Sequence, residues 1–300
     1  AGAIGWGADL VSGRPKWSNL LSIRKLTLTE AEQDFLDGPV NQLCAMIDDW
    51  DTRNNRADMS PEVWKFMKDK GFLGMLIAKE YGGLGFSAQA QSMVVSKISS
   101  RSVAAGITVM VPNSLGPGEL LEKYGTGGQK EKYLKRLAKG QEVPCFALTG
   151  PHSGSDAAGM RDVGVVTYGM HAGERVLGVR LNFDKRYITL APVATLVGLA
   201  FDLHDPENLI GKGERVGITL ALIPADHPGV EIGRRHYPAR SAFMNGPIKG
   251  EDVFVPLDYL IGGTDYAGQG WRMLMECLSD GRGISLPSLS SAAGKFCCFH

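Results

Sequence analysis

The sequence predicts an α+β protein with several domains: an all-α N-terminal helical domain, a middle antiparallel β-sheet or barrel domain, and the start of a C-terminal helical bundle. Three observations predict this class. Apolar residues recur at helical spacing up to about residue 141, short strand-like runs then follow without helices between them, and helical spacing returns after Gly262. The 300 residues are 44% hydrophobic and 21% charged, which is enough apolar material for a sizeable core.

Residues 27–141 are predicted to form the helical domain. Thr29 followed by Glu32 fits a capping box, in which each side chain bonds one free N–H group of the first helical turn. Ser60, followed at once by proline and glutamate, marks a second helix start. The preceding residues, 1–26, are rich in glycine, serine and tryptophan without periodicity, and we interpret them as an irregular extension.

Residues 142–262 are predicted to form the sheet domain. Val143 to Leu148 is a short apolar run, and the runs 163–170 and 175–181 flank a turn at residues 171–174, which predicts a hairpin. The further strand candidates are Tyr187–Thr189, Val193–Phe201, Gly217–Pro224 and Asp252–Leu257.

The last segment, residues 263–300, again has helical spacing. Trp271, Leu274, Met275 and Leu278 recur every three to four residues and would form one apolar stripe. Because a single helix cannot bury such a stripe by itself, we expect the beginning of an incomplete third domain.

Charge and composition exclude several classes of function. Lysine plus arginine and aspartate plus glutamate both total 32, so no net charge favours a nucleic acid as partner. The longest apolar run, residues 190–201, is shorter than the roughly 18 residues that a membrane-spanning helix needs. Scattered histidines and five cysteines without a C-x-x-C pair predict no metal site and reduced thiols, as in the cytoplasm.

The stretch from Cys145 to Gly159 is the most informative for function. A strand ends at Thr149 and becomes a loop of glycine, proline, serine and aspartate, whose N–H groups can bind a phosphate. Gly154 would allow a ligand to approach the backbone closely. Taken alone, a loop of this composition is more often a plain turn.

This stretch resembles the flavin signature of the acyl-CoA dehydrogenase family, a strand ending in T-E-P or T-S-P followed by x-A-G-S-D. Three further segments resemble family motifs in the same order. Lys79–Gly85 is similar to E-Y-G-G-x-G, Tyr124–Leu134 to G-T-x-x-Q-K-x-x-Y-L, and Lys185–Thr189 to K-x-W-I-T, in which tyrosine here replaces the tryptophan. Near the end, Gly268–Gly270 and Gly281–Arg282 resemble a G-x-G turn and the arginine of the first C-terminal helix.

Residues 177–192 and 281–288 look most like the bacterial fatty-acid-degradation branch of the family. This resemblance implies FAD as cofactor and conversion of medium- or long-chain acyl-CoA to trans-2-enoyl-CoA in β-oxidation. It also implies an electron-transferring flavoprotein as electron acceptor and a homo-oligomer at full length. The expected location is cytoplasmic, with inner-membrane association of the full-length protein left open.

The resemblance also assigns site residues, position by position. The strand end would lie beside the flavin ring, the loop would meet the FAD pyrophosphate and the acyl-CoA, and the aromatic and threonine of the K-x-W-I-T motif would lie near the reactive ring nitrogen. The cofactor-binding residues are then Phe146, Ala147, Leu148, Thr149, Gly154, Ser155, Tyr187, Ile188 and Thr189, and the substrate-binding residues are Ser155 and Arg282.

The catalytic base is not assigned. In most of the family it is a glutamate deep in the C-terminal helices, a position expected beyond His300. Some relatives carry it directly before the arginine, where this chain has Gly281; Asp280 is offset by about 100° around a helix. Since Lys295–His300 departs from the family pattern, we expect a fragment, truncated or frameshifted near residue 294.

Two alternatives stay open at this point. The chain could be an inactive fragment of such an enzyme that binds neither flavin nor substrate. It could also belong to an oxygen-using flavoprotein of the same fold, an oxidase or monooxygenase.

Overall fold

The computed structural model describes residues 6–22 and 27–299, so the predictions for residues 1–5, 23–26 and 300 lie outside the described residues. The fold class is confirmed: a helical N-terminal part, a curled middle sheet and a C-terminal helix follow one another. The predicted domain boundaries stay predictions. The helices are α1 Trp6–Val11, α2 Trp17–Leu21, α3 Glu30–Asp37, α4 Pro39–Met46, α5 Asp49–Asp51, α6 Pro61–Asp69, α7 Ala88–Arg101, α8 Val103–Ser114, α9 Gly118–Tyr124, α10 Gly127–Gln129, α11 Lys135–Ala138 and α12 Gly270–Phe299.

The N-terminal segment differs from the prediction. The residues interpreted as irregular contain the short helices α1 and α2. Further along, α7 and α8 are separate helices, because Ser102 between them adopts an extended conformation with φ −150° and ψ 119°. Both predicted caps are confirmed: Thr29 and Glu32 form a capping box on α3, and the Ser60 hydroxyl accepts a hydrogen bond from the Val63 amide at the start of α6.

The middle of the chain forms one sheet of seven strands. In space their order is β1-β4-β2-β3-β7-β6, and β5 pairs along the whole of β4 on its other edge. Most pairs are antiparallel, as predicted, but β1 and β2 both run parallel to β4, a direction that hydrophobic alternation cannot reveal. The strands are β1 Pro144–Ala147, β2 Val163–His171, β3 Glu174–Thr189, β4 Leu196–His204, β5 Arg215–Pro224, β6 Val230–Ile232 and β7 Asn245–Pro256.

The predicted hairpin is formed by β2 and β3. His171 pairs with Glu174, and Ala172 and Gly173 have φ values of 51° and 86°, as a two-residue turn that matches the strand twist requires. β3 continues for 16 residues to Thr189, so two separate strand candidates are one strand. Its far end therefore reaches the edge where β1 ends, which brings two of the family-like motifs together.

Helix α12 connects the helical part to the sheet. Its first half packs Met273, Leu274 and Cys277 into a core cluster that includes Leu220 and Leu222 of β5. Its second half lies on α7 and α8, where the Ser114 hydroxyl donates to Ser285 at 2.9 Å. Small residues allow this close approach of helices, which positions the middle of α12 beside the end of β3.

Glu32 predicts a measurable dependence of stability on pH. It is buried, accepts hydrogen bonds from the Thr29 amide (2.8 Å) and the Ser87 amide (2.6 Å), and so ties α3 to α7. Burial alone would raise its pKa, but the hydrogen bonds from Ser87 and Thr29 outweigh it and lower the pKa from 4.5 to about 2. The resulting stabilisation is complete above pH 4.5 and is lost as the pH falls toward 2.

We therefore expect the free energy of unfolding to decrease between pH 4.5 and pH 2, and Glu32→Gln to remove that part of the decrease. Denaturant titrations of both proteins across this range measure it. Glu30→Gln is the matched control, because Glu30 lies in the same first turn but is exposed. An equal pH profile for wild type and Glu32→Gln would contradict the assignment.

Candidate active site

A crevice of about 310 Å³ opens where β1 and β3 end, facing α8 and α12. Seven residues singled out in the sequence line it together, although they come from three distant segments. These residues are Phe146, Leu148, Thr149, Tyr187, Ile188, Thr189 and Arg282. This cavity is called the crevice below.

The other predicted site residues lie elsewhere. Ala147 is fully buried in the core directly beneath the strand end. Gly154 and Ser155 are exposed on the following loop and do not line the crevice. Within that loop Gly150 and Ser153 pair with each other, and the Asp156 carboxylate accepts from the Gly159 amide at 3.2 Å. The phosphate-binding role of this loop stays a prediction.

A buried lysine connects the two strand ends that line the crevice. The ammonium group of Lys185 is inaccessible to solvent and donates to the carbonyl oxygen of Leu148 at 2.9 Å and to Asp162 Oδ2 at 2.6 Å. Next to it, the Arg186 amide donates to the Thr149 carbonyl oxygen at 2.9 Å. These bonds connect the end of β1 to β3 where no strand pairing joins them.

The carboxylate of Asp162 compensates the buried positive charge of Lys185. Burial lowers the pKa of Lys185, and the adjacent carboxylate opposes that shift. Its second oxygen accepts from the Asp184 amide at 2.9 Å, so both carboxylate oxygens are bonded. Sequence reasoning named Lys185 only as part of a motif and missed Asp162. The available signal was the alternation along β3, which puts Lys185 on the same face as the buried Leu181 and Phe183.

The end of β3 has an unusual backbone. The pairing of β3 with β7 shifts register between Lys185 and Ile188, and Tyr187 adopts a left-handed conformation with φ 62°. That conformation costs a residue other than glycine about 1–2 kcal/mol. The bulge turns the Tyr187 ring outward, where it is 64% exposed at the crevice, with the His236 ring centroid 5.4 Å away.

The opposite wall of the crevice is helical and apolar, and sequence reasoning did not identify it. Its residues look like ordinary helix-core residues, and only the docking of α12 on α8 shows that they line a cavity. Arg282 of α12 adds an exposed cation to this otherwise apolar wall. The wall comprises Ile107, Met110, Val111 and Leu115 from α8 and its C-terminal end, and Leu286 and Leu289 from α12.

No carboxylate among the described residues lines the crevice. At position 281 a Cβ atom would lie 2.1 Å from the carbonyl oxygen of Ser114, so the packing of α12 on α8 requires glycine there. A glutamate at that position is therefore incompatible with this arrangement. The side chain of Asp280 lies outside the described part of the chain.

The structure also bears on two expected absences. Among residues 6–22 and 27–299, no group of three or more histidine, cysteine, aspartate or glutamate side chains is placed to hold a metal ion. In the same part of the chain, no helix is long and apolar enough to cross a membrane.

Comparison with known proteins identifies the family. The model of the acyl-CoA dehydrogenase N-terminal domain matches residues 27–141. The caffeyl-CoA reductase–Etf complex subunit CarC of Acetobacterium woodii is 31% identical over 91% of this chain and 65% of its own length. The chain belongs to the acyl-CoA dehydrogenase family.

Two further likenesses extend this finding. The structure of butyryl-CoA dehydrogenase from Megasphaera elsdenii superimposes on this chain with a TM-score of 0.75, over 91% of this chain and 68% of the dehydrogenase. The two sequences are 21% identical, and the likeness shows a shared acyl-CoA dehydrogenase fold. Protein HemX of Proteus mirabilis is 60% identical over 96 residues, 32% of this chain and 56% of the relative. The chain thus spans only 56% of HemX and 65% of CarC.

Removing the buried ammonium group should destabilise this acyl-CoA dehydrogenase-family chain. Lys185→Met leaves Asp162 buried without its partner, which costs about 3–5 kcal/mol of unfolding free energy. The double variant Lys185→Met/Asp162→Asn should recover part of the loss, because no buried charge remains. Lys249→Met, which breaks the exposed pair with Asp184, is the control and should cost less than about 1 kcal/mol. Equal losses for Lys185→Met and Lys249→Met would refute the assignment.

The contact at Gly281 predicts opposite effects of two alanine substitutions on one helix. Gly281→Ala must push α12 away from Ser114 and should cost about 1–3 kcal/mol, as overpacking does. Gly283→Ala meets nothing within 4 Å and should stabilise the helix by about 0.5–1 kcal/mol. Thermal and denaturant unfolding measure both. Similar effects of the two changes would show that the close approach at Gly281 is not required.

Proposed function

We propose that this chain forms the FAD-binding part of an enzyme that removes two hydrogens from the α- and β-carbons of an acyl-CoA thioester and yields trans-2-enoyl-CoA. One observation carries the proposal. Residues that resemble the family's flavin signature, its K-x-W-I-T strand and its C-terminal arginine line a single crevice. The three segments are far apart in the sequence, with 136 positions separating Phe146 from Arg282, so coincidence does not account for their meeting at one cavity.

The residues present fit a flavin. β1 is an edge strand that pairs only with β4 among the described strands, and Phe146, Leu148 and Thr149 at its end line the crevice, where a flavin ring would lie beside them. The exposed ring of Tyr187 offers an aromatic surface beside it. Phe146 and Leu148 supply further apolar contact from the same strand end.

The chemistry of the reaction divides between cofactor and protein. Bound FAD would supply the acceptor for the hydride that leaves the β-carbon. This chain's own residues exclude water with the apolar wall of α8 and α12, and they place the Thr189 hydroxyl and the Arg282 guanidinium at the crevice. The proton from the α-carbon needs a carboxylate base. We assign that base to none of the described residues.

The apolar helical wall favours a substrate with a hydrocarbon acyl chain. Six aliphatic or methionine side chains along α8 and α12 could cover a medium or long chain, as in fatty-acid β-oxidation. Relatives differ in this respect, because one is named for butyryl-CoA and another for caffeyl-CoA. The Etf complex in CarC's name supports an electron-transferring flavoprotein as acceptor, and we propose this partner and a homo-oligomer for the whole protein.

Flavin binding is the direct test. We expect the purified chain to bind FAD, with quenching of flavin fluorescence and a visible absorption spectrum that medium-chain acyl-CoA perturbs. A chain that binds neither FAD nor acyl-CoA would support the inactive-fragment alternative and overturn the proposal. Oxygen consumption with acyl-CoA and no added acceptor would favour the oxidase alternative.

Thr189 gives a sharper version of this test. Thr189→Val keeps the shape but removes the hydroxyl at the crevice, and we expect about a three- to tenfold loss of FAD affinity, the value of one hydrogen bond. In a completed protein the same change should slow flavin reduction. Thr167→Val on β2, which does not line the crevice, is the matched control. Equal FAD affinity for wild type and Thr189→Val would remove Thr189 from the site.

A further inference from the structure

Asn245, the first residue of β7, stands directly opposite Thr189 in the ladder between β3 and β7. It is 4% exposed and belongs to none of the motifs found in the sequence. Its Nδ2 donates to the Tyr187 carbonyl oxygen at 2.9 Å and, over a longer distance of 3.4 Å, to the Thr189 hydroxyl oxygen. One buried amide thus contacts two of the three residues at the end of β3 that line the crevice.

The surroundings fix the orientation of this amide. A peptide carbonyl can only accept, so the atom facing the Tyr187 oxygen must be the amide nitrogen. The amide oxygen then faces His236 Nδ1 at 3.3 Å, and this ring nitrogen must carry the proton. The His236 backbone amide also donates to the backbone carbonyl oxygen of Asn245 at 2.8 Å, which keeps the two residues side by side. The Asn245 side chain itself is held by Tyr187 on one side and His236 on the other, and it cannot rotate by 180° without breaking both contacts.

The orientation of Asn245 decides what the Thr189 hydroxyl can do. Because its oxygen accepts from Nδ2, its own hydrogen must point away from Asn245. No other described residue accepts that hydrogen, and Thr189 lines the crevice. The hydroxyl is left as a donor for an atom inside the crevice.

We propose that Asn245 is a positioning residue that makes the Thr189 hydroxyl a donor toward the flavin ring and holds the left-handed turn at Tyr187 in place. The inference rests on the proposed function, since the acceptor is an electronegative ring atom of bound flavin. It assigns a role in cofactor binding to a residue outside every family-like motif of the chain.

Asn245→Asp tests the direction of the hydroxyl. The carboxylate is nearly the same shape but can only accept, so it repels the Tyr187 carbonyl and draws the Thr189 hydrogen toward itself. We expect about a tenfold loss of FAD affinity and a shifted visible spectrum of the bound flavin. Asn245→Ala removes the amide without adding a charge. It should weaken binding about threefold, and it stands in for Asn245→Asp if that variant does not fold.

A structural role alone predicts something different, and two comparisons separate the roles. Asn113→Asp is the matched control, because Asn113 is also buried and its Nδ2 also donates to two oxygen atoms, the carbonyl oxygens of Phe72 at 2.7 Å and Val109 at 2.8 Å. It should lower the unfolding midpoint without shifting the flavin spectrum. In a Thr189→Val background, Asn245→Asp should weaken FAD binding less than threefold, because no hydroxyl remains to be turned.

The outcomes are distinguishable. Coupled effects of the Asn245 and Thr189 variants on FAD affinity support the inference. If Asn245→Asp weakens binding by the same factor in both backgrounds, or shifts the spectrum no more than Asn113→Asp does, the inference is overturned while the proposed function stands. If the wild-type chain binds no FAD, the proposed function is overturned, and the positioning role with it.

Discussion

The hydrogen bond from the buried ammonium group of Lys185 to the Leu148 carbonyl is the interaction on which the site depends. β1 and β3 are not neighbours in the sheet, so no ladder of peptide hydrogen bonds sets the distance between their ends. Lys185 supplies that connection, and Asp162 stabilises its charge within the core. Without it, the two strand ends that line the crevice would be joined mainly through the Arg186 amide.

Two further constraints shape the crevice from that starting point. The bulge after Lys185 shifts the register of β3, so Tyr187 turns outward while Ile188 stays buried. Asn245 holds the strained turn from the neighbouring strand. The left-handed conformation of Tyr187 thus lies at the crevice, and strained conformations in proteins often serve function.

The helical wall depends on close packing rather than on hydrogen bonds to the sheet. Gly281 lets α12 approach the last turn of α8, and the serine hydroxyls of Ser114 and Ser285 bond across the contact. This approach places Leu286 and Leu289 of α12 opposite the end of β3. The same closeness leaves no room for a side chain at position 281, so a catalytic base at that position is incompatible with this packing.

The sequence by itself determined the class of fold, the helix caps at Thr29 and Ser60, the hairpin at residues 171–174 and the family. Each of these depends on patterns formed by residues that are close together in the chain. It also identified most residues of one crevice wall through motifs. Only the tertiary structure decided the parallel pairing of β1 with β4, the roles of Asp162 and Asn245, and the apolar wall of α8 and α12. The physical reason is that these features depend on contacts between residues far apart in sequence, and such contacts leave no local pattern of spacing or polarity.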